Sequence, residues 1–196
     1  DPEGTGGSGA AGSHKDYYNR PAGPASGTIF SPDGYILTSA FNVSGGVKRI
    51  TVTTYDGKEY EAKALGYHME LDIALLKIEA KDLPVLVHAK ADDIHQGDLV
   101  GIVGRSPDKA NPTINHGIIS ATGRFKSTAV QTDAELNYGN VGGPLVTLRG
   151  ELVGITSHIK PRTNWGQSSG VGFATKIAEI QKILEDLKKN KRTEKT

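Results

Sequence analysis

Cysteine is absent from the 196 residues of this chain, and aromatic residues make up only 6% of it. Neither a disulfide framework nor a thiolate site is therefore expected. No hydrophobic run approaches the length of a membrane-spanning helix, so no membrane span is predicted. The formal net charge is only +1, and basic residues are not interleaved with aromatic ones, which argues against nucleic acid as a partner.

Glycine, by contrast, is plentiful, with 25 residues, and its distribution divides the chain. Residues 1–14 are glycine-rich with almost no apolar content, which predicts a flexible segment outside the fold. A folded domain is expected from residue 15 to residue 187. The polar tail at 190–196 is expected to be solvated.

Short alternating runs predict antiparallel strands at 50–55, 59–65, 99–104, 113–120 and 129–133. The first two flank Asp56 and Gly57, and aspartate followed by glycine between alternating runs favours a hairpin. From 176 to 189 the apolar spacing becomes helical. The apolar face of this predicted helix comprises Ile177, Ile180, Ile183, Leu184 and Leu187.

Residues 139–145 read Gly-Asn-Val-Gly-Gly-Pro-Leu, which is the pattern of a serine-protease nucleophile loop with valine in place of serine. Glycines there let backbone N–H groups converge on a substrate carbonyl as an oxyanion hole. The methyl groups of Val141 can neither attack a carbonyl nor release a proton. A tight turn before a strand is the alternative interpretation of the same glycines.

Other segments shift the balance toward the protease pattern. Residues 33–43 read as a turn, a short apolar strand and a small-residue corner, and 71–78 place one acid before an apolar strand. Residues 150–157 and 170–174 are two more strand signals. In this order the segments resemble the trypsin-like protease domain of the HtrA (Deg) family, over roughly residues 26–187.

The resemblance implies an all-β fold of two six-stranded antiparallel β-barrels with a C-terminal helix. The barrels are expected at about 26–90 and 97–175. The family's general base falls on Phe41, its orienting acid on Asp72 and its nucleophile on Val141. Since phenylalanine and valine cannot perform the first and last of these roles, the sequence predicts a pseudoprotease that is not an enzyme. An active peptidase with a substitute triad is the alternative.

The family also grips substrates as an added strand, and the resemblance therefore implies binding of extended peptides or unfolded protein without cleavage. The edge is expected at Ile155, Thr156, Ser157 and His158. The N–H groups of Gly139 and Val141 are predicted to resemble an oxyanion hole.

A scaffold or regulatory subunit of an envelope protease assembly is the competing function. The resemblance would place a homotrimer contact at Tyr17 and Tyr18, and packing of these side chains on their own subunit is the other possibility. An exported, periplasmic or cell-envelope location is likewise implied by resemblance only.

Histidine is the remaining candidate for catalysis or metal binding. None of the six occupies the motif position of the base, so surface or loop roles are expected. Metal binding by a pair stays open, since imidazole is a common ligand. No pair has helical i, i+4 or hairpin-like spacing, however, and neither a metal nor another cofactor is predicted. The histidines are His14, His68, His88, His95, His116 and His158.

Overall fold

Alternating apolar residues in the first half of the chain form five strands and one helical turn. The computed structural model describes residues 24–43, 47, 49–105, 111–157, 170–189 and 192–193. The elements are β1 (Thr28–Ile29), β2 (Tyr35–Thr38), α1 (Ala40–Val43), β3 (Ile50–Thr53), β4 (Glu59–His68) and β5 (Ile73–Ile78). The predicted hairpin is confirmed, because β3 and β4 pair antiparallel with Thr53 opposite Glu59.

The second half forms a closed antiparallel barrel of six strands, as predicted. A 3-10 turn at Ala91–Asp93 precedes it. Its strands are β6 (Leu99–Arg105), β7 (Pro112–Arg124), β8 (Ala129–Thr132), β9 (Pro144–Thr147), β10 (Leu152–Thr156) and β11 (Gly172–Lys176). Buried aliphatic side chains from β6 to β10, among them Ile102, Ile119 and Leu145, fill its interior.

The predicted C-terminal helix is present as α2 (Ile177–Lys188). Ile177, Ile180 and Leu187 are buried in one cluster with apolar side chains of β2, β5 and β10. The helix is too short to cross a membrane, and no helix in the described ranges has the length and apolar content to do so.

The polar tail was expected to be solvated, but the structure pairs part of it. Residues Arg192–Thr193 form β12, which lies parallel to β4 opposite Tyr67 and His68. Strand pairing satisfies backbone groups whatever the side chains are, so a polar sequence does not prevent it. The expectation of a wholly solvated tail is therefore corrected.

The first sheet differs from the predicted closed barrel. Its strand order is β1-β2-β5-β4, with β3 and β12 both paired to β4. Among the described residues, β1 pairs only with β2 and β3 only with β4, so the sheet has two unpaired edges and stays open. The prediction of a closed barrel is therefore confirmed for the second half, whereas the described residues of the first half form an open sheet.

His88 joins the first half to the barrel and is a pH-sensitive contact. Its ring stacks on Phe30 with 5.5 Å between the ring centroids, and its Nδ1 lies 3.1 Å from Nε2 of Gln181. Its backbone forms an isolated parallel β-bridge with Leu152. Burial lowers the pKa of His88 below its ordinary value of 6.5. The unfolded chain therefore takes up this proton at a higher pH than the folded chain does.

The stability that neutral His88 contributes is accordingly complete above about pH 6.5 and is lost as the pH falls through the lowered pKa of the folded state. We expect the Tm to fall between pH 7.5 and pH 5, and His88→Gln to reduce that fall. The exposed His116→Gln is the matched control. An unchanged pH slope in the His88 variant would exclude this residue as the source.

Candidate active site

Phe41, which the sequence motifs relate to a general-base position, lies in the helical turn α1. Its backbone N–H donates to Oδ1 of Asp72 at 3.0 Å and to the hydroxyl of Ser39 at 3.1 Å. Its side chain is only 6% exposed and stacks on Tyr138, with 6.2 Å between ring centroids. The aromatic ring is therefore packed against the residue just before the loop that contains Val141.

Asp72 immediately precedes β5 and is 7% exposed. Its Oδ2 accepts a hydrogen bond of 2.7 Å from the Ser39 hydroxyl, and its backbone carbonyl accepts one from the N–H of Ala40. Together with the bond from Phe41, these contacts hold the first residues of α1. Asp72 therefore anchors a turn of the structure, a role for which the sequence contains no separate signal.

Val141 is brought next to α1 by a bond that joins the two halves of the molecule. Nδ2 of Asn42 donates to the carbonyl of Val141 at 2.9 Å and to the hydroxyl of Thr38 at 3.0 Å. Val141 itself is 4% exposed. The three positions that the motifs relate to a catalytic triad thus lie at one seam, defined here as α1, the Asp72 carboxylate bonded to it and residues 138–143, and bordered by the end of β10 at Thr156 and by Ser157.

The N–H groups proposed for an oxyanion hole are engaged within their own loop. Gly139 donates to Oδ1 of Asn137 at 2.9 Å, and Val141 donates to the backbone carbonyl of Asn137 at 3.1 Å. In this conformation neither donor is directed at a substrate. Asn137 was not identified from the sequence, although asparagine favours turns because its side chain bonds nearby backbone groups.

The chemistry of the seam follows from these side chains. Phe41 has no titratable nitrogen and Val141 has no hydroxyl, so neither can act as base or nucleophile. The Asp72 carboxylate accepts hydrogen bonds from the Ser39 hydroxyl and the Phe41 N–H. A peptidase reaction here would need a hydroxyl and a base from other residues.

The predicted peptide edge is paired in part. Ile155 and Thr156 lie in β10 with β9 on one side and β11 on the other, and the Thr156 N–H donates to the Gly143 carbonyl at 2.9 Å. Ser157 donates its N–H to the carbonyl of Phe173 at 3.0 Å. Its own carbonyl has no hydrogen-bond partner among residues that the structure describes. Among the described residues of the predicted edge, the Ser157 carbonyl is therefore the acceptor that is left unpaired.

Several predicted positions lie outside the described residues. These are His158 of the peptide edge and the aromatic pair Tyr17 and Tyr18, so the edge beyond Ser157 and the trimer contact stay predictions. Within the described ranges, no three side chains of histidine, cysteine, aspartate or glutamate come together in a way that could hold a metal ion.

Comparison with known proteins places this geometry in a family. Residues 25–155 match the family described as trypsin-like peptidase domain. HhoB of Synechocystis sp., which is named as a serine protease, is 36% identical over 177 residues, covering 86% of this chain and 41% of its own length. A "Probable periplasmic serine endoprotease DegP-like" of Pseudomonas fluorescens is 42% identical over 168 residues, covering 83% of this chain and 34% of its own length.

A solved structure is similar as well. The "HtrA-type protease AlgW with decapeptide" superposes with a TM-score of 0.75 at 36% identity, covering 86% of this chain and 52% of that chain. The chain thus spans less than half the length of the two curated relatives and about half of the AlgW chain.

These comparisons overturn the prediction that the chain is not an enzyme. The relatives and the solved structure are all named as proteases or endoproteases, and nothing in these names points to a loss of catalysis. The prediction rested on two side chains, Phe41 and Val141, which can act neither as a base nor as a nucleophile. The chemistry of these two positions does not settle what the whole protein does.

Proposed function

The chain belongs to the HtrA family of trypsin-like serine proteases, and we propose that its domain binds extended segments of unfolded polypeptide along the seam. The observation that carries the proposal is the likeness to AlgW, a structure that contains a decapeptide. Added-strand recognition uses backbone hydrogen bonds and therefore does not depend on the side chains at positions 41 and 141. We also propose a periplasmic location, because the DegP-like relatives are named as periplasmic.

The geometry around Ser157 supports this binding mode. The carbonyl of Ser157 has no hydrogen-bond partner among the described residues, at the end of a strand that the barrel holds rigidly on both sides. Phe173, which accepts the Ser157 N–H, is half-buried and stacks edge-on against Phe125 at 4.9 Å between centroids. A rigid strand end beside apolar side chains suits an extended apolar peptide.

The test is titration of the whole chain with a fluorescein-labelled apolar decapeptide, followed by fluorescence anisotropy. We expect saturable binding that weakens at least about tenfold when alternate peptide nitrogens are methylated, since each lost backbone bond is worth about 1 kcal/mol. Hydrogen exchange should slow at Ser157 and its neighbours when the peptide is bound. Ser157→Ala, which keeps the backbone, should bind like the unchanged protein.

Casein fragments released in the same samples measure peptidase activity independently of binding. Equal affinity for the methylated and unmethylated peptides would overturn strand addition. Protection confined to residues away from Ser157 would overturn the placement at the seam. Absence of binding at all would overturn the proposed function.

A further inference from the structure

The open sheet and the closed barrel share one strand order. In the barrel the order around the ring is β6-β7-β8-β11-β10-β9, and in the open sheet it is β1-β2-β5-β4-β3. If β1 is taken as equivalent to β7, then β2, β3, β4 and β5 are equivalent to β8, β9, β10 and β11. These equivalences hold both for the order of the strands in the sheet and for their order along the chain. Among the barrel's strands in the described ranges, β6 alone has no counterpart. In the open sheet its counterpart would lie between β1 and β3.

A cavity of about 720 Å³ lies at that position. Ile36 and Leu76 on its floor are buried members of a hydrophobic core, but several apolar side chains around them are only partly buried. The sheet therefore has one concave apolar face that the described residues leave partly uncovered. The partly buried apolar residues that line the cavity are Ile29, Val43, Ile50 and Val52.

The outer edge of β1 has backbone groups available for pairing. The Phe30 N–H donates to the Tyr35 carbonyl at 2.8 Å, so Phe30 and Thr28 direct their backbone groups toward β2. Because the backbone groups of successive residues point alternately to the two sides of a strand, the N–H and carbonyl groups of Ile29 and Gly27 are directed toward the cavity. The hydroxyl of Thr28, a residue 4% exposed that lines the cavity, has no hydrogen-bond partner among the described residues.

The outer edge of β3 is arranged in the same way. The Thr54 N–H donates to the Lys58 carbonyl at 2.9 Å, so alternation directs the backbone groups of Thr51 and Thr53 away from β4. The Thr53 carbonyl indeed accepts a bond of 3.1 Å from Nη1 of Arg105. The N–H and carbonyl of Thr51 face the cavity beside it.

We propose that this cavity binds an extended segment of another polypeptide as an added strand between β1 and β3, antiparallel to both. The barrel's own β6, which is seven residues long and antiparallel to β7 and β9, shows the length and direction required. The apolar lining selects a segment with β-branched apolar side chains at alternate positions. Residues 1–23 contain no such run.

The cavity shares α1 with the seam, because Asn42 and Val43 belong to its lining. The edges of β1 and β3 that would pair with the added strand lie outside the seam, so the inference goes beyond the proposed function and does not depend on it. The test uses the whole chain and a fluorescein-labelled seven-residue peptide that alternates valine with threonine. Thr51→Pro removes the N–H that faces the cavity, and proline is tolerated on an edge strand where that N–H is unpaired. Thr51→Val keeps the N–H and is the matched control.

We expect saturable binding of the peptide to the unchanged protein and to Thr51→Val, and at least tenfold weaker binding to Thr51→Pro. Circular dichroism and Tm establish that both variants fold. Hydrogen exchange at the amides of Ile29 and Thr51 should slow on peptide binding, and this readout needs no variant.

Equal binding by the two Thr51 variants would overturn the inference. Peptide protection at Ser157 instead of Ile29 and Thr51 would also overturn it while supporting the seam as the binding site. A concentration-dependent dimer that protects the same edges, without peptide binding, would show that a second copy occupies the cavity and would overturn the proposed occupant. Thr51→Pro should leave decapeptide binding at the seam unchanged.

Discussion

Gly142→Ala is expected to lower the free energy of unfolding by about 3 to 5 kcal/mol, through backbone strain together with overpacking. Gly142 has φ +87°, where a side chain is strained in any surroundings. A Cβ there would also lie 2.6 Å from the Ser26 carbonyl and 2.7 Å from Nδ2 of Asn42, in direct conflict with the Thr38 hydroxyl as well. These are the groups that hold α1 against the Val141 loop.

The effect should reach the seam as well as the Tm. Nδ2 of Asn42 holds the Val141 carbonyl, and the Gly142 N–H donates to the Thr156 carbonyl at 2.9 Å, so displacement of Gly142 loosens both bonds. For a chain of this length the Tm should fall by roughly 10 °C in thermal unfolding. Decapeptide binding at Ser157 should weaken in parallel.

Gly150→Ala separates the two causes. Gly150 has φ +78°, close to that of Gly142, but nothing lies within 4 Å of its added Cβ. Its substitution should therefore cost only the strain, about 1 to 2 kcal/mol. An equal decrease in the free energy of unfolding in Gly142→Ala and Gly150→Ala would mean that crowding at the seam contributes nothing, contrary to the geometry.

The local elements of this fold were predictable because their signals are contiguous. Alternation around Asp56 and Gly57 predicts the β3–β4 hairpin, and the 3.6-residue spacing from Ile177 to Leu187 predicts α2 and its buried face. The seam was predictable for a different reason. Motifs far apart in the chain matched one family, so Phe41, Asp72 and Val141 could be expected together before any contact was known.

Features that depend on pairing between distant segments were not predictable. The open first sheet follows from the absence, within the described part of the chain, of a second partner for β1 and β3, and no single segment encodes such an absence. The pairing of β12 with β4 joins a polar tail to a strand about 125 residues earlier. The bonds from Gly139 and Val141 to Asn137 depend on how one loop closes on itself.

Asp72 shows how a motif position can have a structural role that motif reasoning does not predict. The motifs relate it to an acid that orients a histidine, and the position of that histidine falls on Phe41 in this chain. The structure instead directs its two carboxylate oxygens at the Ser39 hydroxyl and the Phe41 N–H, inside a buried site. The short turn α1 has no acidic residue in its own first turn to receive these donors.

Asp72→Ala is accordingly expected to cost about 4 kcal/mol, since hydrogen bonds to a charged group are worth about 1.5 to 3 kcal/mol each and their donors would be left buried. The backbone of Asp72 has φ +51°, a region that asparagine and aspartate adopt more readily than alanine. Asp72→Asn is the matched control, because its amide oxygen still accepts from Phe41 while its amide nitrogen can donate to the Ser39 oxygen. We expect it to cost only about 1 kcal/mol, the usual net worth of one neutral hydrogen bond. Chemical denaturation of the two variants measures the difference, and comparable losses would mean that the charge, not the pair of acceptors, holds α1 in place.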